Sequence, residues 1–140
     1  MVNNIARRET WLLFDDGTAI GTLSISVEGD TDFWSPTELA ESALYLGKMA
    51  SSLDRSGEGI GALMIAWTRD WAARHGFDIV RWDVWRTNDA LQHYYRSVGA
   101  TYVRTVEVAD RWSGTLFETA AVVQSALPDV VATVEPDEPA

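Results

Sequence analysis

The chain has no cysteine among its 140 residues. Disulfides, thiolate metal ligands and a cysteine nucleophile are therefore excluded. Histidine is scarce, with only His75 and His93, so a histidine-rich metal site is excluded as well. Basic residues are few: 11 Lys and Arg stand against 21 Asp and Glu, for a net charge of −10. Nucleic acid binding needs clustered cations, so no nucleic acid partner is expected. No apolar run is long enough to span a bilayer and no secretory signal opens the sequence. The expectation is a cytoplasmic protein with no membrane partner.

What is present is apolar and aromatic. The chain is 46% hydrophobic and has seven tryptophans, enough to build one core in one domain. That domain is expected over residues 1–126. The remainder, "LPDVVATVEPDEPA" over 127–140, has four acids, three prolines and no base, and reads as a disordered tail.

Residues 9–14 and 19–27 are β-rich runs around Asp16-Gly17, a strong hairpin signal. The polar stretch 29–42, with Pro36, reads as a loop. Residues 43–51 are mostly apolar and predict a central strand. Ile60, Leu63, Met64, Trp67 and Trp71 then share one face of a helix that Gly76 closes. Residues 78–85 form the next strand, which completes a β-α-β unit. Thr87 or Asn88 caps a second helix, with Leu91, Tyr94, Tyr95 and Val98 on one face and Gly99 as its stop. "TYVRTVEV" and "SGTLFETAAVV" give a closing hairpin. The expected fold is α/β (α+β): a mixed, mostly antiparallel sheet with a central β-α-β unit.

The segment "DRSGEGIGALMI", 54–65, puts Gly57, Gly59 and Gly61 at the start of the first long helix. First-turn N–H groups lack intrahelical partners, and the helix dipole is positive there, so the pattern suits an anion. A P-loop is ruled out, because no Gly-Lys-Ser/Thr is present. A relaxed dinucleotide fingerprint is formally met by Gly57, Gly59 and Ala62, with Asp83 farther on. However, "SLDRS" separates the glycines from the strand, and one further helix cannot build a doubly wound sheet.

The same loop resembles that of the GNAT N-acetyltransferases. Met49-Ala50-Ser51 takes the family's strand-end position, and Ser56-Gly57-Glu58-Gly59-Ile60-Gly61 takes its glycine loop. "NDALQHYYRSVGA" supplies Asn88, Tyr95 and Gly99 at the family's second motif. The segments "LYLGKMA", "RWDVWRTN" and "RWSGTLFE" follow one another as in a large GNAT subgroup. The chain departs from the pattern at Ser56, where the family has Arg or Gln, at Ser51, and at Ala100 after Gly99. Family members usually begin with a strand and two helices ahead of the hairpin. Few residues precede the hairpin here, so the expectation is a truncated form, a partner that covers the gap, or an open acceptor site.

The resemblance implies acetyl-CoA as co-substrate, with no metal, and a primary amine of a small molecule or protein as acceptor. It places pantetheine along Met49, Ala50 and Ser51, the diphosphate on Ser56, Gly57, Glu58, Gly59, Ile60, Gly61 and Ala62, and a cofactor contact at Asn88. It makes Tyr95 the general acid that protonates the leaving thiolate. From helix periodicity alone Tyr95 is equally a core aromatic. Asp83 is a candidate base, with pairing to Arg86 as its structural alternative; Glu28 and Asp30 are further candidates. With no cysteine available, direct attack in a ternary complex is expected. The alternatives are a non-catalytic GNAT-like protein that binds acyl-CoA or a partner, and, behind it, a nicotinamide-dependent dehydrogenase. An unfilled sheet edge would admit a homodimer.

Overall fold

The computed structural model describes residues 8–51, 60–124 and 131–136. The elements run β1 (Arg8–Asp15), β2 (Thr18–Ser26), α1 (Pro36–Leu39), β3 (Ala43–Ser51), α2 (Ile60–Arg74), β4 (Ile79–Trp85), α3 (Asp89–Ser97), β5 (Thr101–Thr105), β6 (Ser113–Ala120) and β7 (Val131–Pro136). The strands form one sheet in the order β5-β6-β4-β3-β2-β1-β7. Every neighbouring pair is antiparallel except β3 and β4, which α2 connects in parallel. The mixed, mostly antiparallel sheet with a central β-α-β unit is thus the fold the sequence predicts.

Local chemistry accounts for the joints. Asp16 and Gly17 both have positive φ, 54° and 81°, which matches the twist of a two-residue hairpin and sets Asp15 opposite Thr18. Asn88 caps α3 by accepting from the Leu91 N–H at 3.0 Å. The core lies between the sheet and the long helix. Leu13, Leu23, Ile25, Leu44, Val80 and Phe117 are fully buried, and Met64, Ile65 and Ala72 of α2 pack over them.

Two segments differ from expectation. The stretch 29–42 is not all loop, because it contains α1. Ser35 and Glu38 close a reciprocal capping box, and Pro36 holds the first turn. The C-terminal stretch read as a disordered tail contains β7. Val131–Pro136 pair antiparallel with β1, from Phe14↔Val131 to Glu9↔Pro136. The run Val-Ala-Thr-Val is rich in β-branched residues, and β1 would otherwise present an unpaired backbone edge. The end of the preceding described segment runs beside α2. There the Gln124 N–H donates to Asp70 at 2.8 Å and Arg69 donates to the Ala120 carbonyl at 2.8 Å. The β1 edge is therefore paired within the chain, and β5 and β7 are the outer strands of the sheet.

Candidate active site

The site begins where the central strands part. β3 and β4 pair only from Ala43↔Ile79 to Tyr45↔Arg81. Between Gly47 and Ala50, β3 carries one residue more than the facing stretch of β2, a bulge that bends it, and Ser24 holds the Gly47 carbonyl at 3.1 Å. β4 meanwhile stays in register with β6 as far as Val84↔Thr115. The two central strands diverge, and a cavity of about 570 Å³ opens between them. Gly47 and Met49 line it from β3, and Asn88 and Tyr95 from α3. Parted strands leave main-chain donors and acceptors free for an extended ligand arm to pair with, in the manner of an added strand.

Strand alternation sorts the side chains of β4 by face. Val80, Trp82 and Val84 are buried, and Trp82 meets Tyr95 edge-on at 5.4 Å, so this set faces the α3 side. Arg81, Asp83 and Trp85 face the other way. Arg81 is 2% exposed, yet it is held by Glu41, Glu118, the Tyr45 hydroxyl and the Glu38 carbonyl. Burial pulls its pKa down, but the hydrogen bonds it donates to Glu41, Tyr45 and Glu118 outweigh this and keep the guanidinium charged. The anchor draws α1 onto this face, where Arg104 also grips Glu38 and the Phe33 carbonyl.

A second cavity of about 190 Å³ lies on the α1 side, lined in part by Glu28, Asp30, Trp34 and Arg111. Trp82 and Asp83 line both cavities and so stand at their junction. Asp83 is exposed and accepts a hydrogen bond from the Ser113 hydroxyl across β4 and β6. It does not pair with Arg86, which instead donates to Glu107 at 3.0 Å and to the Arg111 carbonyl at 2.9 Å. Asp30 is occupied by Arg111 at 2.7 Å.

Tyr95 is 5% exposed and serves both readings the sequence allows: it packs on Trp82 and Phe117, and it lines the larger cavity. Burial, with Tyr94 adding to it, pushes its hydroxyl up to about 12, so it stays protonated at neutral pH. Asn88 lines the same cavity while capping α3. Of the strand-end trio, Met49 reaches the cavity, while Ala50 pairs with Thr22 and Ser51 with Gly21 on β2. Ile60, Gly61 and Ala62 form the first turn of α2, where the Tyr94 ring lies 3.5 Å from where a Gly61 Cβ would be. Ser56, Gly57, Glu58 and Gly59 lie outside the described residues.

Sequence reasoning missed Ser113, Trp82 and Trp85 as site residues. The alternation along β4 could have flagged Trp85, two positions beyond Asp83 on the same face. Ser113 carries no such signal, because only the β4–β6 pairing brings it to Asp83. Among the described residues no group of three or more His, Asp or Glu could hold a metal ion, and no helix is long and apolar enough to cross a membrane.

A family model described as Acetyltransferase (GNAT) family matches residues 3–100, and the chain belongs to that family. No curated protein matches it in sequence. Solved structures share the fold. A GNAT-family acetyltransferase from Listeria monocytogenes matches at TM-score 0.60 and 20% identity, over 74% of this chain and 59% of its own. A ribosomal-protein alanine N-acetyltransferase from Escherichia coli matches at 0.60 and 14%, over 91% and 76%. An aminoglycoside acetyltransferase in complex with coenzyme A matches at 0.67 and 15%, over 81% and 66%. The chain thus spans between 59% and 76% of the lengths of these neighbours.

Proposed function

We propose that the protein is an acetyl-CoA-dependent N-acetyltransferase that moves an acetyl group to a primary amine by direct attack. One observation carries this reading. Tyr95 and Asp83 line a single cavity between diverging parallel strands, from opposite faces of the sheet. Acetyl transfer needs a base on the amine's side of the thioester and an acid on the sulfur's side. A slot that runs through the sheet separates them in that way.

Met49 and its neighbours on β3 would hold the pantetheine arm through their main chain, with Asn88 at the cavity wall. The diphosphate would rest on residues 56–61, at the start of α2. Bound acetyl-CoA supplies the activated acyl group. Asp83, steadied by Ser113, takes a proton from the incoming ammonium directly or through water. The amine nitrogen then bonds to the acyl carbon, and a main-chain N–H near Met49 or Ala50 donates to the carbonyl oxygen as charge builds there. The carbon–sulfur bond breaks, and the Tyr95 hydroxyl gives its proton to the sulfur. The nitrogen loses its second proton to water, so an amide and free coenzyme A result, and solvent takes the proton from Asp83 and returns one to Tyr95.

The test is release of free coenzyme A from acetyl-CoA across a panel of primary amines, alongside thermal shifts with coenzyme A and with NAD. Amine-dependent release and stabilisation by coenzyme A are expected. Stabilisation by NAD alone would sink the reading.

A further inference from the structure

The larger cavity opens beside two tryptophans that the core does not absorb. Trp85 is 59% exposed and Trp112 is 65% exposed, and they stack on one another at 6.4 Å with an interplanar angle of 24°. Burying indoles of this size is strongly favourable, so a pair left in solvent at a cavity mouth is a platform awaiting a planar partner. Trp85 lines the cavity, and Ser113, next to Trp112 in the chain, lines it too. Asp83 lies two residues before Trp85 on β4, so the carboxylate and the platform share one face about 7 Å apart.

Asp83 accepts from the Ser113 hydroxyl, and the Arg111 guanidinium acts on it electrostatically. Arg86 and Arg111 lie beside the platform, with their charges met by Glu107 and by Asp30 and Asp32 respectively. An ammonium held on Asp83 at about 2.8 Å leaves a reach of two or three carbons to a ring lying on the indoles. We infer that the acceptor is an arylalkylamine: one primary ammonium set at Asp83, and a planar aromatic body stacked on Trp85 and Trp112. This inference rests on the acetyltransferase reading and names the acceptor class of that site.

The test is calorimetric titration of 2-phenylethylamine and of 1,5-diaminopentane into the full chain, with and without coenzyme A. The wild type is expected to bind 2-phenylethylamine roughly five- to tenfold more tightly than the diamine. Trp112→Ala should erase that preference and Trp112→Phe should retain part of it, while Asp83→Asn weakens both amines. Trp112 is exposed, so its variants are expected to keep the wild-type melting temperature. Equal affinities in the wild type, no binding of 2-phenylethylamine, or a preference that survives in Trp112→Ala would each overturn the inference. Titration with coenzyme A alone reports separately on the acetyltransferase reading, since the amine titration without coenzyme A does not depend on it.

Discussion

Tyr95 and Asp83 reach one cavity from opposite faces of the sheet, Tyr95 from α3 and Asp83 from β4. The separation is a direct result of strand alternation. Trp82 turns towards the α3 side and supports the Tyr95 ring, and the next residue, Asp83, must turn away.

The first prediction concerns that tyrosine. Tyr95→Phe keeps the ring that packs on Trp82 and Phe117 and removes only the hydroxyl. The kcat for acetyl transfer should fall by about a hundredfold or more, with the KM for acetyl-CoA nearly unchanged. The folded-state pKa of Tyr95 is raised to about 12 from an ordinary 10, so its contribution to stability is complete below pH 10 and is lost as pH rises towards 12. Tyr95→Phe should flatten the stability profile in that window, measured by urea unfolding.

Acid should act through α1. Hydrogen bonding from Arg104 outweighs the opposing effect of burial, and with help from Ser35 it holds the Glu38 carboxyl down at about 2. The sign follows from the lowered value. The stabilisation is complete above pH 4.5 and is lost as pH falls towards 2. Glu38→Gln should remove that acid-dependent part and lower the melting temperature at pH 7. The variant and the wild type should converge near pH 2.

Arg81 is the anchor beneath the same helix. Arg81→Ala would leave Glu41 and Glu118 without their buried cation and the Glu38 carbonyl without its donor. A loss of about 3–5 kcal/mol is expected from chemical denaturation. The segment carrying Trp34 should loosen with it, since Arg81 stacks over that ring at 5.0 Å. Hydrogen exchange at residues 30–40 would register the loosening.

These contacts show which parts of the molecule were legible in the sequence. The limits of β3, the start of α2 and the Asn88 cap follow from periodicity and capping chemistry, which are local. Helix α1 was half legible: Ser35-Pro36-Thr37-Glu38 is a complete capping box, but four residues give no apolar period to detect. β7 was hidden because acidic and proline-rich surroundings masked a short β-branched run whose partner lies more than a hundred residues away. The partners of Asp83 were hidden for a similar reason. Arg86 is near in sequence but turns towards Glu107, whereas Ser113 is thirty residues distant and arrives only through sheet pairing.

The turn that presents Trp112 and Ser113 depends on Gly114. Its φ is +149°, and a Cβ there would overlap the Val106 carbonyl oxygen, which is backbone and cannot swing aside. Gly114→Ala should destabilise the protein by about 1–3 kcal/mol. Because the Gly114 carbonyl also accepts from the Val106 N–H at 2.8 Å, the β5–β6 connection should shift as a unit and carry Ser113 away from Asp83. Acetyl transfer should then fall by more than the stability loss accounts for. Intact activity at a temperature where the variant is fully folded would show that Ser113 is not needed to position Asp83.

Removal of residues 125–140 tests the sheet's far edge. β1 would lose its antiparallel partner along Glu9–Phe14 and expose a row of unpaired backbone groups. Two effects are expected together: a lower melting temperature, and self-association that grows with protein concentration, as β1 edges seek new partners. Light scattering and sedimentation would detect the second. The cavity between β3 and β4 lies two strands in from β1, so coenzyme A should bind the shortened protein as it binds the full chain wherever it remains folded. A truncated protein that melted like the full chain and stayed monomeric would mean that β7 does not hold the edge in solution.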